Sequence, residues 1–332
     1  MSASLRTVSA VIPAYAMDRW PLTRRAVESI RQQTVPVESV VLCIDNNPEL
    51  LARAEAEWRE SRGTPVHVVP SRYDRVPHRR THASSRGFGA GLARNTGAAH
   101  VGSDIIAFID DDAWAEPDWL ERLLPLYSDP SIVAVGGAAL PEYETSRPPW
   151  FPPNFDWVFG CTYDGLPATA APLRRLLGSS MTVRRDAFLA VGGFRDEPLD
   201  RQGTHDFDDL SLSLLLEARY GANSLYYTPD AVVHHYVKAE RVTWRYFYRR
   251  CYLVNREKVH LFDNMGPAAN LAAEREFVWR VLRRQVAAEA KRGLHGEPAA
   301  FLSLGAMLAG TVFAAAGYLH GQWEQRLRPA LP

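Results

Sequence analysis

This sequence predicts an α/β fold: a mainly parallel sheet with helices on both faces, followed by further helices at the C-terminal end. Two observations carry that prediction. Short β-branched runs alternate with amphipathic segments through the first half, a pattern that builds parallel sheets by crossover. Polar or turn segments then follow the carboxyl ends of several of those runs, where open α/β sheets hold their ligands. The 332 residues allow one or two domains with a sizeable core. With 46% hydrophobic and 23% charged residues, the composition is that of an ordinary globular protein. The formal net charge is zero, so no global field recruits nucleic acid, and no nucleic-acid fold signature is present.

The elements follow in order. Val8 to Pro13 is a short apolar strand, and a polar turn leads to an amphipathic helix from about Pro21 to Gln33. Ser39 to Ile44 is a second strand, ending in Asp45-Asn46-Asn47-Pro48. Leu50 to Arg62 is helical by period and Ala/Glu content, with Gly63 as its stop. Val66 to Val69 is a third strand, and Pro70 to Arg86 is a long loop rich in Arg and His. Gly91 to Ala99 is a helix, and Ile105 to Ile109 is a buried strand. Pro13-Ala14-Tyr15, Asp45 and Asp110 to Asp112 thereby converge on one rim, as in a nucleotide pocket. Gly87 to Gly91 does not follow a strand and has the wrong spacing for a dinucleotide turn, so NAD is set aside.

Asp110, Asp111 and Asp112 close the fourth strand with a block of like charge. Such carboxylates repel one another unless a cation neutralises them. An oxygen-rich cluster suits Mg²⁺ or Mn²⁺ held together with substrate phosphates. The alternative is a solvated turn capping the helix that Pro117 opens.

The second half is less regular. Pro148 to Pro153 (PPWFPP) is a stiff aromatic loop or lid, Gly178 to Val183 returns to strand character, and Leu210 to Tyr220 is a leucine-rich helix preceded by His205-Asp206-Phe207-Asp208-Asp209. Tyr226 to Val233 leads into His234-His235. Arg241 to Lys258 mixes aromatic and basic residues, suiting a lipid headgroup layer, a phosphate-bearing acceptor, or an amphipathic helix over the core. Ala299 to Leu319 carries no charge and is flanked by Lys291-Arg292, Arg326 and Arg328. It has the length of a membrane helix, yet its Ala and Gly content equally suits packing on its own domain or on a second subunit as a homodimer. Cys43, Cys161 and Cys251 lack metal spacing and suit a reducing cytosol, and Met1 to Thr7 has no signal-peptide core. The expectation is a cytoplasmic protein, peripheral or anchored at the inner face of the membrane.

Taken together, VIPAY, IDNNP, GLARNTGA, FIDDDAW, VGGFRDE and YTPDAVVHH resemble, in this order and spacing, family 2 glycosyltransferases of the GT-A type over roughly Val8 to His260. The PPWFPPNFDWVFGCTY, GSSM and TWRYFYRRCY segments are most similar to the membrane-associated, glucosyl-dolichyl-phosphate glucuronosyltransferase-like group. The resemblance implies a Rossmann-like GT-A domain over 1–238, with a nucleotide-binding half (1–115) and an acceptor-binding half (116–238). Residues 239–332 then form a helical region containing the apolar segment 299–319.

It also implies inverting transfer from a nucleoside diphosphate sugar, a UDP-sugar being favoured, to a lipid-linked sugar or a small molecule. Pro13, Ala14 and Tyr15 would line the donor site. Asp45 would hold the nucleobase edge, unless it merely caps its turn. Arg94 would contact the diphosphate or brace Asp110, unless it is a solvated helix residue. Asp110 would take the ribose, with Asp111 between it and Asp112, which would bind the metal together with His235. Trp150, Ser179, Ser180 and Asp209 would face the acceptor. The family's general base is the second acid of a pair before a helix, and alignment on Asp209-Leu210 puts Phe207 there. Either the loop shifts by one, leaving Asp206 as base with Asp208 following, or the base is absent. The absent base admits a second reading, a non-catalytic sugar-nucleotide-binding or scaffold protein. A third, an Mg²⁺-dependent nucleotidyltransferase, would want a Gly-rich, Lys-bearing loop where this chain has Ala14 to Asp18.

Overall fold

The computed structural model describes residues 6–71, 89–195, 208–265 and 282–327. Asp206, Phe207, the Gly87-Phe88 start of the glycine-rich turn and the loop of Pro70 to Arg86 beyond Ser71 lie outside the described residues. Strands β1 (Val8–Ala14), β2 (Val40–Ile44), β3 (Val66–Pro70) and β4 (Ile105–Phe108) form a parallel block in the order β3-β2-β1-β4. Every residue of β1 is buried, as its place between two parallel neighbours and two helical layers demands. Its register pairs Ala14 with Ile44 and Val11 with Phe108, so the three strand ends open on the same side.

Helices return the chain between these strands. Helix α1 (Trp20–Arg31) buries Ala26, Val27 and Ile30 at helical spacing. Helix α2 (Pro48–Trp58) begins where the Asn47 side chain accepts from the Leu50 amide at 3.0 Å, with Pro48 at the first helical position. It stops at Trp58, short of the expected Arg62, and Gly63 takes a φ of 86° in the turn beyond. Helix α3 (Ala90–Ala98) lies so close to β1 that a Cβ on Gly97 would strike the Val11 side chain.

Past β4 the sheet turns antiparallel. β8 (Met181–Arg184) pairs with β4, and β6 (Ala134–Tyr143) pairs with β8. The long β9 (Leu225–Val237) follows, and the short β5 (Ala113–Ala115) and β7 (Ala171–Pro172) lie antiparallel to it. Two of the buried polar contacts in this half join side chains directly. The Trp119 indole donates to Ser180 Oγ at 3.1 Å, and the Tyr127 hydroxyl donates to Thr182 Oγ1 at 2.9 Å. Two short α-helices, α4 (Trp119–Leu123) and α5 (Arg185–Ala190), precede α6 (Asp208–Tyr220).

The chain divides into two compact units, 1–140 with 167–235, and 141–166 with 236–332. In the second, Phe151, Phe155, Val158 and Phe159 pack with Phe247 and Cys251 of α7 (Trp244–Met265) and with Ala306 and Met307 of the terminal helix Pro298–Leu327. The aromatic segment 148–159 thus belongs to the same core as the C-terminal helices. A further helix, Arg283–Leu294, precedes the terminal one.

Substituting Gly97 by leucine is expected to cost about 1–3 kcal/mol, because α3 must move off Val11. Gly102, with nothing within 4 Å of an added Cβ, should accept alanine within about 0.5 kcal/mol. Urea denaturation of both variants is the measurement, and equal midpoints would refute the close α3–β1 contact.

Candidate active site

The rim is assembled from the ends of β1, β2 and β4. Pro13 and Ala14 finish β1, and the Ala14 carbonyl accepts the Asp45 amide at 2.7 Å. Asp45 is buried, and its Oδ2 accepts the Gly89 amide at 3.0 Å, which fastens the entry of α3 to the end of β2. Asn46 adopts a φ of 48°, a left-handed conformation that asparagine tolerates better than most residues. Tyr15 leaves its ring 45% exposed on the rim while its carbonyl accepts from Asn47.

Two arginines serve the triple aspartate. Arg94, buried in the middle of α3, donates to Asp110 Oδ1 at 2.5 Å and lies 3.7 Å from Asp208 Oδ2 at the start of α6. Burial alone would weaken its charge, but Asp110 and Asp208 reverse that and hold its pKa above the ordinary guanidinium value. Space is kept for this bridge: a Cβ on Gly91 would sit 2.8 Å from the Asp208 carboxylate, and one on Gly178 would sit 3.2 Å from Arg94. Arg19 is the second. It ends a single 3₁₀ turn, Met17–Arg19, and its Nη1 lies 2.9 Å from Asp111 Oδ1 and 3.0 Å from Asp112 Oδ2. Its guanidinium also stands 5.0 Å from the centre of the Tyr15 ring. Burial opposes the charge of Arg19 too, yet the two carboxylates raise its pKa beyond the usual value. The Asp111 carboxyl is pushed up to about 7 by burial and by Asp112, with Arg19 pulling in the opposite direction.

The sequence reading missed Arg19. Its one available signal was an arginine a single turn past the first strand, in Met17-Asp18-Arg19-Trp20, which reads equally as a solvated helix start.

β5 explains how His235 arrives. Directly after the aspartates the chain pairs Ala113 with His235 and Trp114 with His234 along β9. Alternation then sends the two histidines to opposite faces. His235 is buried with Nε2 3.4 Å from Asp112 Oδ1. His234 stacks on Trp114 and lies 2.6 Å from Glu116 Oε1. Asp110, Asp112 and His235 each offer one ligand atom, all within 4.8 Å of one another. Two carboxylates and one imidazole, backed by Asp111 with its Oδ2 buried and without a hydrogen-bond partner among the described residues, fit a divalent cation of the Mn²⁺ or Mg²⁺ type.

The remaining candidates are distributed differently. Ser180 is fully buried and its Oγ accepts from Trp119, while Ser179 beside it is also buried. Asp209 takes hydrogen bonds from Arg175, from the Gly178 amide and from the Leu210 amide. Trp150 lies in the second unit, stacked on Trp244 with ring centres 3.8 Å apart. Cys43, on β2 just before the rim, has its thiol pushed up to about 12 by burial and by Asp45, which disfavours the thiolate.

A parallel α/β sheet whose strand ends carry clustered carboxylates, with antiparallel strands beyond, defines a GT-A-type fold. In keeping with this, residues 9–192 match the family described as glycosyl transferase family 2. The chain belongs to that family. A glucosyl-dolichyl phosphate glucuronosyltransferase of Haloferax volcanii is 34% identical over 197 residues, 59% of this chain and 58% of that relative. The match thus spans little more than half of the relative's length. Among solved structures, the mannosyltransferase PcManGT of Pyrobaculum calidifontis, in complex with GDP-Man and Mn²⁺, aligns with a TM-score of 0.56 at 19% identity, covering 98% of this chain and 88% of that one. GalNAc-T7 with UDP, GalNAc and Mn²⁺ aligns with a TM-score of 0.51 at 16% identity, covering 82% and 54%. Both are likenesses of fold.

Replacing Arg19 by methionine strands two buried carboxylates, and a loss of about 3–5 kcal/mol is expected. Added Mn²⁺ should restore part of that loss, because it neutralises the same carboxylates. Thermal melts with and without Mn²⁺ read both effects, and a variant as stable as the parent would remove Arg19 from the account.

Proposed function

We propose that this chain transfers a sugar from a nucleoside diphosphate sugar to an acceptor hydroxyl with inversion, dependent on Mn²⁺ or Mg²⁺. The observation that carries the reading is the Asp110–Asp112–His235 cluster on the rim it shares with Asp45. The names of the aligned transferases, one bound to GDP-Man and Mn²⁺, support it. A UDP-sugar is the favoured donor. Asp45 accepts from an N–H of the base, Pro13, Ala14 and Tyr15 line the base and ribose, and Asp110 receives the ribose hydroxyls. Asp112 and His235 hold the cation, with Asp111 behind them. When bound, the cation supplies neutralisation of the leaving diphosphate.

Arg94 holds the Asp110 carboxylate at the rim by donating to its Oδ1. In the displacement, the acceptor oxygen forms its bond to the anomeric carbon as the bond to the diphosphate oxygen breaks, and a carboxylate takes the hydroxyl proton. Asp206 and Asp208 are the candidates for that base. Asp208 stands within ion-pair reach of Arg94, which ties the start of α6 to α3. Of the acceptor candidates, Ser179, Ser180 and Asp209 lie in the first unit, to which we assign the acceptor side. A lipid-linked sugar is the acceptor class that the Haloferax volcanii relative suggests, with a small natural product as the alternative. A lipid-linked acceptor suits a peripheral or anchored enzyme, and we propose the cytoplasmic face for it.

A non-catalytic donor-binding protein is the second reading, favoured by Phe207 where the family's base stands.

Slow donor hydrolysis should appear when the protein is incubated with Mn²⁺ and a panel of UDP-, GDP- and dTDP-sugars, and chelation should abolish it. Asp112→Asn is expected to lower the rate by roughly 10²-fold or more, by analogy with the loss of one electrostatic stabiliser. Asp206→Asn and Asp208→Asn, assayed for transfer separately, identify the base. Tight nucleotide binding with no turnover of any donor would favour the non-catalytic reading.

A further inference from the structure

We propose that the terminal helix Pro298–Leu327 docks the protein in the plane of an anionic lipid surface and does not cross the bilayer. The inference is independent of the transferase reading, since it concerns the second unit alone. One face of this helix is committed to the protein. Gly310 packs against Phe155 and Phe247, Gly317 against the backbone of Tyr252, and Gly321 against the backbone carbonyl of Arg256. Glu324 receives two hydrogen bonds from Arg256, at 2.8 and 2.5 Å, and His320 pairs with the Tyr252 hydroxyl.

The opposite face is exposed and apolar. Phe301, Leu308, Val312, Leu319 and Trp323, between 49% and 65% exposed, recur at intervals of seven and four. Spacings of this kind keep them on one side of a helix. From Phe301 to Leu327 the face runs roughly 39 Å at the helical rise. Between Pro298 and Gln325 the one charged side chain is Glu324, which is turned to Arg256. A continuous apolar surface of this length is far more than a soluble protein ordinarily leaves in water.

Charge says what covers it. Arg245 and Arg249 are exposed, and they continue, at helical intervals, the α7 row in which Tyr252 and Arg256 touch the terminal helix. Exposed Lys291 precedes the apolar face beside Arg292, which is paired with Glu289 and Glu297, and exposed Arg326 closes it. An apolar stripe edged by guanidinium and ammonium groups, with Trp323 near one end, matches hydrocarbon bordered by anionic headgroups. A second protein copy would bring the same cations against one another.

Crossing the bilayer is excluded by what the helix is attached to. Contacts run in parallel order, Phe247 with Gly310, Tyr252 with Gly317 and Arg256 with Gly321. α7 therefore lies alongside, and Arg249, Arg256, Glu257 and Lys258 would enter the hydrocarbon with it. Lying flat buries the apolar face alone and leaves α7 on the aqueous side.

Flotation of the full chain with vesicles of phosphatidylcholine, alone or mixed with phosphatidylglycerol, tests this. Binding is expected to the mixed vesicles, to weaken with salt, and to be released by alkaline carbonate. Leu308→Glu and Leu319→Glu, at exposed positions that leave the fold intact, should each weaken binding roughly tenfold, since one buried leucine is worth about that factor. Leu189→Glu, an exposed leucine of the first unit, should leave it unchanged. Retention in the membrane after carbonate would overturn the proposal in favour of a spanning helix. Failure to bind vesicles, with a dimer in solution that Leu308→Glu dissociates, would overturn it in favour of a second copy.

Discussion

Three adjacent carboxylates at the end of a buried strand are the constraint on which the rest of this rim depends. Asp111, flanked by Asp110 and Asp112, stands where burial and the repulsion of its neighbours both act against ionisation. Arg19 and Arg94 answer that repulsion, and each reaches beyond it. Arg19 ties the turn after β1 to Asp111 and Asp112, and Arg94 ties α3 to both Asp110 and the start of α6. Neutralising the cluster therefore assembles the rim, because the two guanidiniums come from two separate segments, the turn after β1 and α3. Four carboxylates, counting Asp208, meet two guanidiniums, and His235 stands beside Asp112. In the proposed function a divalent cation supplies the further positive charge.

Much of the first half was legible in the sequence, since β1, β2 and β4 are central parallel strands that read as unbroken apolar runs. Asp45, Arg94 and the aspartates lie at their ends or on the adjoining helix, so local pattern sufficed to bring them to one rim. β6 escaped notice because Ala134 to Leu140 is rich in Gly and Ala, and its strand character comes from pairing with β8. β5 has three residues and exists through its ladder with β9. Arg19 escaped for a related reason. Its burial is decided by carboxylates some ninety residues away in sequence, and nothing in Met17 to Trp20 distinguishes it from a surface arginine.

The segment 141–166 shows the same limit of local reading. Its prolines and aromatic residues suggest a surface loop or lid over Pro148 to Pro153. Instead Phe151, Phe155 and Phe159 are buried in the second unit's core with Phe247 of α7. The terminal helix divides its two faces in a way that average hydropathy does not report. Glycines at 310, 317 and 321 admit α7 at close range, and the larger apolar residues face outward. Its composition fits both a membrane helix and a packed one, and the structure packs one face while leaving the other exposed.

The most direct test of the central claim is anomalous diffraction at the manganese edge from crystals grown with UDP and Mn²⁺. The account predicts one manganese peak within ligand distance of the Asp112 carboxylate and His235 Nε2, with the diphosphate on the same ion and Arg19 still paired with Asp111. A nucleotide seated on the rim with no manganese there, its diphosphate held by Arg19 or Arg94 instead, would contradict it.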